Sequence, residues 1–297
     1  MKKVFVVYNP VSGAKKLRNV ERVIRARLDK LCCSYDWYET RKNGNDFSAL
    51  KTGGYDLVLA CGGDGTVSMV ATYLFQNELD IPIGIVGLGS TNLFAWSFLV
   101  PVVDVGSAVE FAVNGDVRKV DVGLVNDKKI MLIGAGKGYD NVFMRGAPRE
   151  LKRKIGFFAY VWSFLTTYLA HPRREYVVTV DGISHQVVAK VVFVFNYLRF
   201  SSEKLGVGFK PDDGLLEVVA VNPSSFWDLF KMLVFFVIRR TTKKHPKVKF
   251  FEGKHVIVHS ERERGYQIDG DLFDGEDLEV SVLHKKISVV AYSTIFE

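Results

Sequence analysis

Short apolar runs alternate with segments of helical periodicity along the first third of the chain. KVFVVY reads as a strand. GAKKLRNVERVIRARLDKL follows, with Leu17, Val20, Val23, Ile24 and Leu28 at helical spacing. SYDWYET predicts a short strand and YDLVLAC a buried one. TVSMVATYLFQ predicts a helix with Val67, Val70, Ala71 and Leu74 on one face, and IPIGIVG the next strand. Strands alternating with helices argue for a parallel sheet covered on both faces.

From about Lys119 the pattern changes. KVDVGLV, KKIMLIGAG, REYVVTVDG, QVVAKVVFVFN, GLLEVVAVN, KHVIVHS and LEVSVLH are short strand-like runs separated by turns. GFFAYVWSFLTTYLA and SFWDLFKMLVFFVI interrupt them as helix candidates. This predicts a second, mostly antiparallel β domain with inserted helices, beginning near 120–125.

Composition narrows the picture. At 297 residues, 48% hydrophobic and 25% charged, the chain is an ordinary globular sequence with length for about two domains. A net charge of +7 favours anionic partners such as phosphates, nucleotides or acidic lipid surfaces. No nucleic-acid recognition motif accompanies that charge. Cys32, Cys33 and Cys61 form no CxxC pair, which fits reduced thiols and a cytoplasmic setting. The N-terminal apolar run is too short for a signal peptide, and no uninterrupted apolar stretch of about 18 residues suggests a membrane span.

The candidate chemistry begins at CGGDGTVSMV. A buried strand ending in a glycine-rich turn and a helix start presents free backbone N–H groups and the positive end of the helix dipole. Gly62, Gly63 and Gly65 allow close backbone approach to phosphate. Asp64 would repel phosphate alone, and makes sense if a divalent cation lies between carboxylate and phosphate oxygens. Thr66 reads as a helix cap or a further phosphate ligand. The plain alternative is a tight turn capped by Asp64. The pattern is not a P-loop, and no zinc-type Cys/His spacing occurs.

CGGDGTVSMV also resembles the signature of the diacylglycerol kinase catalytic domain family, which includes sphingosine kinases and bacterial lipid kinases. YNPVSGAKK, YET, GLGSTNLFA, KVDVG, GAGKGYDNVF, KPDDGLLEV and QIDGDLF are similar to further family motifs, in the family's order. The resemblance covers nearly the whole chain. It implies a Rossmann-like parallel α/β domain over 1–121, an antiparallel β-sandwich with inserted helices over 122–285, and a tail over 286–297 able to return to the first domain. The active site would lie in the cleft between the domains.

It further implies an ATP- and Mg²⁺-dependent kinase acting on a lipid hydroxyl. Asn9, Ser12, Gly13, Thr40, Gly62, Gly63, Asp64, Gly65, Thr66 and Thr91 would bind ATP. Asp213 through its side chain, with Lys210 and Leu215 through carbonyls, would hold Mg²⁺, although PDDG also reads as a plain type I turn. Asp269 and Asp271 are candidates for the base that accepts the hydroxyl proton, with Asp64 as a further catalytic acid. DGD also reads as a hairpin turn. Asp121 is a candidate for the same acidic network, and Lys15 and Lys16 for phosphate contact.

One departure stands out. Family members commonly read Gly-Thr-x-Asn-Asp-x-Ala-Arg in the second loop, and here Leu93 replaces the acid and Trp96 the base. Leu93 keeps open a nucleotide-binding, lipid-sensing protein with little activity, and the GGDGT loop, which the related NAD kinases share, keeps an NAD-kinase-like enzyme as a further alternative. The two apolar helix candidates, flanked by basic residues such as Arg239, Arg240, Lys243 and Lys244, suit peripheral contact with an anionic membrane at its inner face. A homodimer through an exposed β edge is a family-level expectation.

Overall fold

Parallel strands need crossover connections, and the first third of the chain supplies them as helices. In the computed structural model of the chain, β1 (Lys3–Tyr8) pairs in parallel with β2 (Ser34–Glu39) and β3 (Leu57–Gly62). β3 pairs in parallel with β4 (Ile83–Gly87), giving the order β2-β1-β3-β4. The structure describes residues 1–12, 19–42, 44–139, 167–168, 170–197, 210–223, 225, 227–228 and 246–296. Gly13, Lys15, Lys16 and most of both basic-flanked apolar helix candidates lie outside them. By internal contacts the chain divides into two units, Met1–Val122 with Lys210–Asp213 and Leu283–Glu297, and Gly123–Phe209 with Gly214–Val282.

In the first unit β3 is buried at every position, as a central parallel strand should be. Val20, Ile24 and Leu28 of α1 (Val20–Lys30) share a core with Val4, Val6, Leu57 and Leu59 of the sheet. Val23, of the same expected stripe, is exposed at 42%. A short helix α2 (Ala49–Thr52) precedes β3, and α3 (Asp64–Gln76) follows it. The expected face of α3, Val67, Val70, Ala71 and Leu74, is buried.

Helices α4 (Leu93–Ser97) and α5 (Val105–Asn114) lie where the hydrophobic pattern predicted no element. α5 is capped by the Asp104 carboxylate, which accepts from the Gly106 and Ser107 amides. Its Val109, Ala112 and Val113 join the α1 core.

The second unit is built from antiparallel strands. β5 (Asp116–Val125) leads into it and pairs with β6 (Lys129–Met131). One sheet then has β7 (Gly134–Gly138), β10 (Val191–Phe195), β11 (Leu216–Val221) and β12 (Val248–Gly253) in adjacent places. β14 (Tyr266–Ile268) adds to β7, and β15 (Asp271–Phe273) to β14. β8 (Arg174–Val180), β9 (Ile183–Ala189) and β13 (His255–His259) form the facing layer with the start of β16 (Asp277–Ala291). Tyr176, Val178, Val256 and Val258 from one layer meet Val192, Val194, Leu216 and Val218 from the other in a single core. This is a sandwich.

Runs that read as single strands are split in two places. KKIMLIGAG breaks at Leu132 and Ile133, between β6 and β7. QVVAKVVFVFN breaks at the buried Lys190, between β9 and β10. β16 goes the other way. It continues past the expected LEVSVLH through Lys285, which has φ 48°, until Val289 pairs in parallel with Ile83 of the first unit.

Candidate active site

Glycine-rich loops leave the carboxyl ends of adjacent strands β1, β3 and β4, and they are stitched to one another. β1 runs into a loop in which the Asn9 amide nitrogen donates to the Thr66 hydroxyl at 3.0 Å. The Ser12 hydroxyl accepts from the Gly63 amide at 3.1 Å. Leu88 N–H, after β4, donates to the Gly62 carbonyl at 2.8 Å. The chain leaves β1 for β2 on one side and reaches β3 on the other, so these loops sit at the topological switch point. Open α/β sheets bind ligands there. Thr40, at the end of β2, is held by its amide on the Tyr8 carbonyl at 2.8 Å.

The glycines have specific reasons. A Cβ on Gly89 would lie 2.6 Å from the Gly63 Cα, so the two backbones meet at a distance no side chain permits. A Cβ on Gly62 would lie 2.2 Å from the Thr66 hydroxyl oxygen. Gly65 is different, because nothing lies within 4 Å of where its Cβ would point. It faces open space at the first turn of α3. Among the described residues no side chain caps that turn, whose N-cap is Gly63. An uncapped helix start beside a glycine that faces outward has free backbone N–H groups of the kind that suit an anion.

Asp64 fastens the second loop to the first. Its carboxylate accepts from the Phe94 amide at 2.9 Å and from the Thr91 hydroxyl at 3.3 Å. Thr66 is buried, with its hydroxyl accepting from Asn9. Asn92 was not singled out by sequence reasoning. With φ 49°, it accepts from the Gly89 amide at 2.7 Å and donates to the Gly89 carbonyl at 3.0 Å, which sets the loop's shape. An Asn after GLGST was the available signal, since Asn tolerates the left-handed region.

Pro211, Asp212 and Asp213 of the PDDG turn belong to the first unit with Asp121. Lys210 N–H donates to the Asp213 carboxylate at 3.2 Å, and Asp121 N–H donates to the Pro211 carbonyl at 2.8 Å. The Asp121 carboxylate is buried, accepts from the Lys285 amide at 2.7 Å and lies 2.9 Å from His284 Nδ1. Lys285 Nζ lies 3.2 Å from Asp212. His284 and Lys285 were not among the sequence candidates. Among the described residues no group of three or more His, Cys, Asp and Glu clusters as a metal site. The Lys210 and Leu215 carbonyls with the Asp213 carboxylate are all hard oxygen donors, a set suited to Mg²⁺.

Asp269 and Asp271 lie in the second unit and differ sharply. Asp269 (φ 48°) and Gly270 (φ 89°) form the two-residue turn of the β14–β15 hairpin, closed by the Ile268–Asp271 pair. Two consecutive positive φ values are the type I′ geometry that Asp-Gly favours. The Asp269 carboxylate accepts from the Leu132, Ile133 and Gly134 amides at 2.8, 2.9 and 3.0 Å. Burial raises its pKa, partly offset by those donors and by Lys129. Asp271, two residues later and the first of β15, is exposed, and Lys129 Nζ lies 3.2 Å from it.

Residues 3–125 match the family model of the diacylglycerol kinase catalytic domain. Residues 135–291 match the YegS C-terminal NAD kinase beta sandwich-like domain. A curated relative named diacylglycerol kinase, from Staphylococcus saprophyticus, is 25% identical over 277 residues, covering 91% of this chain and 89% of the relative. One of the same name from Staphylococcus epidermidis is 26% identical over 278 residues, covering 91% and 86%. A solved structure described as a diacylglycerol kinase from Bacillus anthracis superposes with a TM-score of 0.76 at 22% identity, covering 99% of this chain and 98% of that one. At that identity the superposition speaks for the fold alone.

Proposed function

Because the chain belongs to the diacylglycerol kinase catalytic domain family, we propose that it transfers the γ-phosphoryl group of ATP to the hydroxyl of a lipid alcohol such as diacylglycerol. The observation that carries this reading is the stitched set of glycine-rich loops at the switch point, with the uncapped start of α3 between them. That arrangement suits the phosphates of a nucleotide. Asn9, Ser12, Gly13, Thr40, Gly62, Gly63, Asp64, Gly65, Thr66 and Thr91 make the nucleotide site. Within it, backbone amides and the helix start receive phosphate, while Asn9, Thr66 and Asp64 chiefly hold the loops in register.

In the transfer, the lipid oxygen forms a bond to the γ-phosphorus as the bond to the β-phosphate bridging oxygen breaks, and ADP leaves. The hydroxyl proton passes to a carboxylate. Asp271 suits that role better than Asp269, because Asp271 is exposed while both Asp269 oxygens are taken by buried amides. Mg²⁺, held by the Asp213 carboxylate and the Lys210 and Leu215 carbonyls, supplies charge neutralisation for phosphoryl transfer when bound.

The test is transfer of radiolabelled γ-phosphate to total lipid extract with Mg²⁺, wild type beside Asp64→Ala and Asp271→Asn. Labelled lipid that vanishes in both variants supports the reading, and its chromatographic identity names the acceptor. ATP binding with no labelled lipid from wild type overturns it in favour of a nucleotide-binding protein. Leu93 is the observation that favours that second reading, because an exposed leucine opens α4 where the family commonly has an acid. Leu93→Asp separates the two: turnover that rises indicates a kinase short of one carboxylate, and turnover that stays absent indicates a binding protein.

A further inference from the structure

Helix α4 follows directly on the second glycine-rich loop, and its two faces are unalike. Phe94, Ala95, Ser97 and Phe98 are buried. Leu93, Trp96 and Leu99, spaced three apart, are exposed at 41%, 58% and 37%. Residues 81–103 contain no Asp, Glu, Lys, Arg or His. A soluble face normally carries some charge at such a length.

The end of the helix adds an independent sign. Leu99 N–H donates to the Trp96 carbonyl at 3.2 Å, and Val100 N–H to the Ala95 carbonyl at 2.9 Å. This is the paired bonding of a Schellman motif, whose left-handed position usually takes glycine. Here Leu99 occupies it with φ 56°. A leucine in the left-handed region is strained, and its side chain is exposed rather than packed. A chain that only had to stop the helix would do better with glycine. The exposed side chain is what the strain retains.

We propose that the Leu93, Trp96 and Leu99 face is a lipid-surface contact that enters the headgroup and acyl boundary of a bilayer. Tryptophan and leucine without neighbouring charge match the composition of interfacial membrane contacts. The lack of charge sets the kind of surface: uncharged lipid suffices, and screening by salt has little effect. Position supports the same occupant. Asp64 binds the amide between Leu93 and Ala95, so the face is fastened to the phosphate loop through one hydrogen bond. A surface contact there would hold the phosphate loop close to hydroxyls presented at the membrane. The inference rests on the proposed lipid acceptor, but membrane partition is measured without turnover.

The experiment is flotation of the full chain with phosphatidylcholine vesicles at low and high salt, for wild type, Trp96→Gln and Leu99→Gly. Glycine relieves the strain at position 99, so Leu99→Gly keeps or raises Tm, and lost binding cannot be laid to unfolding. Quenching by bromine-labelled acyl chains, as the difference between wild type and Trp96→Phe, reports on Trp96 alone. The expected result is salt-insensitive flotation, a roughly tenfold lower partition coefficient for each variant, and quenching that disappears in Trp96→Phe. Wild type that fails to float, floats only with anionic lipid, or floats as well as the variants overturns the inference. So does sedimentation showing a dimer that Trp96→Gln dissociates, because the face would then be covered by a second copy. Loss of kinase activity in every sample, with flotation unchanged in pattern, counts against the function and not against the contact.

Discussion

At Asp269 a carboxylate takes the place of a missing strand partner. The chain between β6 and β7 leaves the ladder for two residues, and the amides of Leu132, Ile133 and Gly134 turn to the aspartate. Hydrogen bonds to charged groups are worth about 1.5–3 kcal/mol, and stranded buried amides cost more than the bond itself. Asp269→Ala is therefore expected to destabilise the protein by at least about 3 kcal/mol, read as a fall in the denaturant midpoint. Asp271→Asn is expected to change stability by no more than about 0.5 kcal/mol, while phosphate transfer falls about 10²–10⁴-fold. A stable, active Asp269→Ala protein would reverse these assignments. The sequence offered the two acids as equals because both readings of DGD, turn and active site, use the same letters. Only the register of the hairpin separates them. Cys61 is the quieter case: burial pushes its thiol pKa up, so it is expected to resist alkylation while the exposed Cys32 reacts.

At the level of elements, the loops are where glycine identity can be tested. Gly89→Ala forces the Gly63 backbone away, so both nucleotide affinity and stability are expected to fall. Gly65→Ala meets no atom within 4 Å and sits in the first turn of α3. It is expected to gain about 0.5–1 kcal/mol of stability while weakening ATP binding, measured by calorimetry, because the new methyl lies where phosphate would approach. Unchanged ATP affinity in Gly65→Ala would move the phosphate site elsewhere. The parallel sheet was legible because β1, β3 and β4 are continuous apolar runs bounded by turns. α5 was not legible, since its valines read as strand-like and Gly106 interrupts the helical pattern, although Asp104 and Ser107 carried a capping signal. α4 escaped notice because five residues are too few for periodicity to register. The splits at Leu132 and at Lys190 were hidden for a different reason. Both occur inside apolar runs, and what ends the strand is a distant partner rather than a local breaker.

Across the whole molecule, the first unit is assembled from segments far apart in sequence, Met1–Val122, Lys210–Asp213 and Leu283–Glu297. Val289, Val290 and Ala291 of β16 are buried at 0–2% exposure, and Val290 belongs to the α1 and α5 core. A chain ending at residue 282 is expected to leave that core open. Its first unit should lose the protease resistance that the full chain shows, with ATP binding lost alongside. A truncated chain that still binds ATP would show that β16 only decorates the sheet. The resemblance implied a tail over 286–297 able to return to the first domain, but the hydrophobic pattern hid that one continuous strand makes the return, because Lys285 and Lys286 interrupt the alternation of LEVSVLH. The routing of β16 also sets an order of events during synthesis. Domains emerging from the ribosome ordinarily close in turn from the N-terminus, but here the first unit begins first and closes only after residue 291 has been made. A nascent chain stalled anywhere in the sandwich therefore holds an incomplete first unit, and nucleotide binding, if it resides there as proposed, is expected to arise late in synthesis rather than by degrees.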